Sequence, residues 1–261
     1  MIVDFRKMAF FTSSGGHYEE SKLNQVLGFD TDRIIYSPTE IDRIIDRYPN
    51  EVVGVIFYQA PVNQTKDIPF QFVWANDVLP AVADENTSCY LKNKLKLVGK
   101  YKKIFNQYRR VVSSCIGIHA RFGNGELEKA SNQPDLDRMK TPWTSFFSTM
   151  DIYPGDQFFV CTDTPSFLEK CLHRYGDRVI HLNRFMPPEN CGPGHNIWSI
   201  CNDEKKAEYI EARNRIGSYR LLGEALIEMF LLGECVRLVC NQSSFTHYAR
   251  MCCQVESIVF G

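Results

Sequence analysis

The chain has 261 residues, of which 44% are hydrophobic, 13% aromatic and 23% charged, a globular composition that can bury a sizeable core in one large or two modest domains. Its 30 Lys plus Arg balance 31 Asp plus Glu, for a formal net charge of −1. That balance excludes the global basic field that gathers nucleic acid or an anionic membrane surface, so an anionic ligand has to be held by a local basic group.

The N-terminus, "MIVDFRKMAFFTSSGG", carries Asp4 and a short apolar stretch that ends in a Gly-rich turn, and reads as a first strand rather than a signal peptide. The first ninety residues alternate two kinds of pattern. "KMAFFTS", "RIIYS", "VVGVIFYQ" and "FQFVWAN" are strand-like, while "YEESKLNQVLGF" and "TEIDRIIDRY" between them are helix-like. The turn "SSGGH", Ser13 to His17, reads equally as a plain β–α turn or as a cradle for phosphate or sugar. Residues 91–110, "LKNKLKLVGKYKKIFNQYRR", form a basic amphipathic pattern expected to be one long connecting helix.

The alternation then resumes. "VVSSCIGIHA", "DQFFVCTD", "DRVIHLN", "VRLVCN" and "ESIVF" read as strands; "SFLEKCLHRY", "SYRLLGEALIEMFLLGE" and "SSFTHYARMC" read as helices. Apolar strands alternating with helices indicate parallel sheets covered on both faces. The expected class is α/β with two lobes, residues 1–90 and 111–261, joined through 91–110. No run of about 18 apolar residues occurs, so no transmembrane helix is expected. The ten cysteines lack CxxC spacing and read as buried free thiols of a reducing, cytoplasmic compartment. The sequons at Asn63, Asn86 and Asn241 matter only in a secreted chain.

Three strand ends concentrate polar chemistry. The first, "HARFGNGE", supplies His119, Arg121, Gly123, Asn124 and Glu126. A guanidinium suits a diphosphate because its planar fork bonds two oxygens and keeps its charge, and glycines allow close backbone approach. The second, "CTDTPSF", delivers Asp163 and Thr164 ahead of Pro165, an ordinary helix start that could also hold a ribose or a sugar. In the third, "CNQSSFTH", Ser243, Ser244 and Phe245 open an expected helix whose N-terminus suits phosphate. Glu228 lies in an otherwise apolar helix; one carboxylate there can accept both N1–H and N2–H of guanine.

These segments resemble a known family. "IGIHARFGNGE", "FFVCTDTPSFLEK" and "EALIEMFLLGECVRLVCNQSSFTHYAR" are similar, in order, to three motifs of the nodulation fucosyltransferases, relatives of the α1,6-, α1,2- and protein O-fucosyltransferases. The loop "NRFMPPENCGPGH", ending at His195, is similar to a loop of the nodulation enzymes, and the match spans about residues 111–253. The resemblance implies a GT-B-type fold of two Rossmann-like lobes with a short N-terminal lobe. The N-terminal lobe would serve the acceptor and the C-terminal lobe the nucleotide sugar.

It also implies an inverting, metal-independent transfer of fucose from GDP-fucose to a glycan hydroxyl, with no cofactor. On this resemblance Arg121 clamps the β-phosphate and His119 lies beside the nucleoside. Asp163 and Thr164 contact the donor, Glu228 reads the base, and Ser243 or Ser244 touches phosphate. Glu126, or else Glu128, is the base candidate. The position after Arg121 is basic in those relatives but Phe122 here. That departure and the divergent N-terminal lobe leave open a transferase of another nucleotide sugar, such as rhamnose or xylose. They also leave open a catalytically silent nucleotide- or glycan-binding module.

Overall fold

The computed structural model of the chain describes residues 2–3, 27–29, 54–56, 72–74, 95–125, 140–191, 207, 211, 215, 218–246, 248–253 and 255–260. The N-terminal third contributes strands β1 (Ile2–Val3), β2 (Leu27–Phe29), β3 (Gly54–Ile56) and β4 (Phe72–Trp74), followed by β5 (Leu95–Leu97). Strands β1, β3 and β4 form a parallel sheet in that order, and β2 pairs antiparallel with β5. Two expected helices are corrected here. "YEESKLNQVLGF" contains β2, and the connecting helix over 91–110 is a strand, β5, followed by helix α1 (Gly99–Val112). The cause is a period of two: in "LKL" Lys96 is exposed and Leu97 buried. The expected strands "KMAFFTS" and "RIIYS" and the turn "SSGGH" lie outside the described residues.

The C-terminal body follows in the order β6 (Ile116–Ala120), α2 (Trp143–Asp151), β7 (Phe158–Thr162), α3 (Pro165–Tyr175), β8 (Val179–Ile180), α4 (Ser218–Leu232), β9 (Arg237–Asn241) and β10 (Ser257–Phe260). Its five strands pair in parallel in the order β10–β9–β6–β7–β8. This is the doubly wound α/β arrangement, with winding reversed between β6 and β9. At such a switch point a crevice opens beyond the carboxyl ends of the strands.

Strand β6 is buried along its length because both its faces are covered. Ile116, Ile118 and Ala120 pack with Phe158, Val160 and Val239 against Phe146 and Met150 of α2 and Phe167 and Cys171 of α3. On the other face Phe159, Cys161, Leu238 and Cys240 pack with Tyr101 of α1 and Ile227, Leu231 and Leu232 of α4. Helix α2 was not expected from the sequence, although Trp143, Phe146, Phe147 and Met150 recur at helical spacing. Val111 and Val112 were expected to open the strand, but they finish α1, and Cys115 N–H bonds back to Val112 O at 2.9 Å.

"SSFTHYARMC" also differs from the expected helix. It is a 3₁₀ turn, Ser244–Thr246, followed by a single π turn, Tyr248–Cys252. The free thiols are corrected at one position. Among the described residues Cys115, Cys161, Cys171, Cys235 and Cys240 are free, but Cys191 is disulfide-bonded. Such a pairing follows from proximity in the fold, which cysteine spacing does not report.

Helices α1 and α4 meet where α4 has no side chain. A Cβ at Gly223 would collide with the ring of Tyr101. Gly223→Ala is therefore expected to destabilise the protein by about 1–3 kcal/mol, since a packed core rejects added atoms. The melting temperature should fall by about 2–4 °C per kcal/mol for a chain of this size. Adding Tyr101→Leu should recover part of the loss; an unchanged melting temperature in Gly223→Ala would refute the close approach.

Candidate functional site

The turn after β6 lies at the switch point, and both neighbouring strands hold it. From β9, Asn241 accepts a hydrogen bond from Arg121 N–H at 3.0 Å and donates through Nδ2 to Arg121 O at 2.6 Å. From the end of β7, the Asp163 carboxylate accepts Phe122 N–H and Gly123 N–H, each at 3.0 Å. The Thr164 hydroxyl donates to Asp163 Oδ1 at 3.1 Å, so it steadies this carboxylate instead of capping α3. Thr162 Oγ1 donates to Ala120 O at 2.6 Å.

The turn needs its special residues. Gly123 has φ 74° and Asn124 has φ 44°, both left-handed. Gly supplies the first without strain and Asn is among the side chains that tolerate the second. Asn124 is buried and bonds out to the segment after β8: Nδ2 donates to Pro188 O and Oδ1 accepts Asn190 N–H, both at 2.9 Å. Phe122 points the other way, into the core, 5.0 Å from the Phe167 ring and 5.6 Å from Trp143. The side chain at this position is therefore core, while that of Arg121 is half-buried at the strand end.

His119, one residue before the strand ends, is buried and stacked on Phe245 with centroids 5.1 Å apart and planes 13° from parallel. Among the described residues its Nδ1 has no hydrogen-bond partner. Burial, followed by the charges of Arg121 and Arg184, lowers its pKa from the ordinary 6.5 to about 3, so the ring is neutral near pH 7. Ser243 is buried behind it, with Oγ accepting Phe245 N–H at 3.2 Å and its carbonyl accepting the Thr246 hydroxyl at 2.8 Å. The π-stack thus rests on a tightly bonded turn.

The segment after β8 closes the other side. Arg184 donates Nε to Glu228 Oε1 at 2.7 Å, Nη1 to Phe185 O at 3.0 Å and Nη2 to Thr162 O. Glu224, one turn earlier on α4, accepts Phe185 N–H at 3.0 Å and Arg220 Nε at 2.6 Å. Glu189 accepts both the N–H and the hydroxyl of Ser166 at the start of α3, at 3.1 and 2.7 Å. Burial raises the Glu228 pKa against the lowering effect of Arg184.

Of the residues marked in the sequence, His119, Arg121, Gly123, Asn124, Asp163, Thr164, Glu228, Ser243 and Phe245 gather around the carboxyl ends of β6, β7 and β9. Glu126, Glu128 and His195 lie outside the described residues, as does the side chain of Ser244. Sequence reading missed Arg184, Asn241 and Glu224. Two glutamates spaced by four on an apolar helix signal buried carboxylates that require cations; Arg184 pairs with Glu228 and Arg220 with Glu224. Among the described residues no three metal-ligating side chains converge, and no helix is long and apolar enough to cross a membrane.

Neither a known protein family nor a curated protein matches the chain. Solved structures do. NodZ α-1,6-fucosyltransferase soaked with GDP-fucose is similar over 99% of this chain and 94% of that one, with a TM-score of 0.50 and 14% identity. The same enzyme co-crystallised with GDP is similar over 87% of this chain and 63% of that one, with a TM-score of 0.42 and 17% identity. For fucosyltransferase NodZ from Bradyrhizobium the shares are 75% and 55%, with a TM-score of 0.41 and 17% identity. This chain thus spans 63% and 55% of the length of the latter two. The first likeness shows the fold: α/β, with a parallel sheet and flanking helices as in that fucosyltransferase.

The neutral histidine sets a pH dependence. Its native pKa of about 3 lies below its ordinary 6.5, so the unfolded chain binds a proton that the folded chain refuses. Its contribution is full above about pH 6.5 and is lost as pH falls toward about 3. His119→Gln should therefore flatten the decline of urea-unfolding stability across that window, and an equally steep decline in the variant would refute it.

Proposed function

We propose that this chain is a glycosyltransferase that binds a nucleoside-diphosphate sugar in the crevice at the carboxyl ends of β6 and β9. The observation that carries this is Arg121, on a turn whose backbone Asp163 and Asn241 hold from either side of the switch point. GDP-fucose is the donor we assign first and a glycan hydroxyl the acceptor. The reading is supported by the motif resemblance and the shared fold. Residues 111–261 would form the donor lobe, 1–90 the acceptor side, and 91–110 the connection between them.

In the proposed reaction the bond from the fucosyl C1 to the diphosphate oxygen breaks, and its electron pair stays on the β-phosphate. In this reading Arg121 meets that charge as it grows, a task suited to a bidentate cation. The sugar passes through an oxocarbenium-like state, an acceptor oxygen attacks from the opposite face, and the configuration at C1 inverts. Glu126 is our candidate to take the acceptor proton, and the step needs no divalent metal in this scheme. His119 and Phe245 offer a flat face for the nucleoside, Glu228 an acceptor for its base, and Ser243, Ser244 and His195 polar groups for the phosphates or sugar. Five buried free thiols among the described residues support a cytoplasmic compartment, against which the Cys191 bridge counts.

A different nucleotide sugar is the second reading, favoured by Glu228 already sharing one oxygen with Arg184. Turnover across GDP- and UDP-sugars with a panel of glycan acceptors tests both. We expect GDP-fucose to be consumed fastest; a UDP-sugar turned over with GDP-fucose inert would overturn the donor assignment. Tight GDP binding with neither hydrolysis nor transfer would mean a silent binding module. Arg121→Ala should cost about 3 kcal/mol of transition-state stabilisation, on the order of 100-fold in kcat/KM, with the fold intact. Arg121→Lys should rescue little, because one ammonium cannot supply two parallel bonds. Near wild-type kcat/KM in Arg121→Ala would remove Arg121 from the site.

A further inference from the structure

We propose that Arg184 is a specificity-determining positioning residue: it keeps Glu228 a carboxylate at the base end of the crevice, so that the site prefers a nucleobase offering adjacent N–H donors. This rests on the reading of the crevice as a nucleoside-diphosphate site.

The geometry sets the argument. Glu228 is buried on α4, and Arg184 Nε reaches its Oε1 at 2.7 Å. Among the described residues Oε2 accepts no hydrogen bond, which leaves that oxygen for a ligand. Arg184 is itself fixed, since Nη1 and Nη2 bond the carbonyls of Phe185 and Thr162. Thr162 ends β7 at the crevice, so the ion pair sits at the strand ends and not deep between the sheet and α4. A guanidinium committed to two carbonyls cannot swing toward a ligand, and its remaining influence passes through Glu228.

Among the described residues, Arg184 is the cation that offsets the burial of Glu228. From its own helix Glu224 faces it, a like charge that is itself paired with Arg220. From β7 comes the neutral thiol of Cys161. Asp163 acts on Arg184, and Arg184 in turn acts on the neutral ring of His119. Without Arg184, burial and Glu224 both favour a protonated Glu228. A protonated acid presents an O–H donor where guanine presents N1–H and N2–H donors. Uracil has a single N–H between two carbonyls, so its binding depends far less on an ionised Glu228.

The experiment measures Kd for GDP, UDP and inorganic pyrophosphate between about pH 6 and about pH 8.5 in the wild type, Arg184→Met and Arg184→Lys. Thermal unfolding confirms that each variant is folded. We expect a preference for GDP over UDP that is flat with pH in the wild type. In Arg184→Met that preference should shrink toward acid, by about tenfold per pH unit once Glu228 titrates in the range. Arg184→Lys restores the charge and should restore the flat profile. The double variant Arg184→Met/Glu228→Gln should lose both the preference and its pH dependence.

Equal weakening for all three ligands at every pH in Arg184→Met would overturn the proposal, because a residue that merely fastens its segment acts that way. Persistence of the pH dependence in the double variant would overturn it too, since another group would be titrating. If Arg184→Met does not fold, the Arg184→Lys profile decides alone: a flat GDP preference supports the proposal and a lost one overturns it. A wild-type chain that binds none of the three ligands overturns both this inference and the proposed function, whereas GDP binding indifferent to Arg184 overturns the inference alone.

Discussion

A backbone turn can carry a cation into a crevice only if its own polar groups are satisfied elsewhere, and here Asp163 and Asn241 satisfy those of the turn after β6. Both come from strands flanking β6, so the turn's geometry is a property of sheet register. Pairing His119 with Cys161 and Cys240 places the ends of β7 and β9 level with the start of the turn. A slip of one residue in either strand would move its carboxylate or amide to the opposite face and leave buried N–H groups unbonded. The site and the fold are therefore specified by the same contacts.

Desolvation then governs the chemistry around that turn. His119 remains neutral because it is buried between two arginines, and Glu228 remains tolerable because one of those arginines bonds it. Removing water from this cluster makes each charge expensive alone and effective when matched. The segment after β8 supplies the matching. Through Arg184, Phe185, Pro188, Glu189 and Asn190 it is bonded to α4, to α3 and to the β6 turn. With the bond from Arg184 to Thr162 O of β7, an otherwise irregular stretch becomes one wall of the crevice because it shares its hydrogen bonds with four elements.

The sequence makes much of the sheet legible and less of its surroundings. Strands β6, β7, β9 and β10 announce themselves as apolar runs, and the polar residues closing them mark the crevice. Periodicity fails where elements are short or cross-paired. β2 and β5 pair across a long separation, and their period-two pattern covers only three residues each. Asp163, Thr164 and Asn124 are visible as candidates, but their hydrogen bonds to the turn and to the segment after β8 are long-range facts. Arg184 looks like any loop arginine until the fold brings Glu228 against it. Phe122 reads as a cation missing from the crevice and turns out to fill the core with Trp143, Phe146 and Phe167.

The short turn after β9 shifts where the electrostatic work must be done. A long helix opening at Ser243 would bring aligned peptide dipoles and several free N–H groups toward a phosphate. The structure has three residues of 3₁₀ turn instead, and Ser243 already bonds two of its groups. So short a segment sums few dipoles. In the proposed reaction, the negative charge growing on the leaving diphosphate therefore depends mainly on Arg121. Its effectiveness depends in turn on Asp163, whose two oxygens bond the N–H groups immediately after it. Both oxygens are engaged by backbone donors, so this carboxylate shapes the turn that carries Arg121.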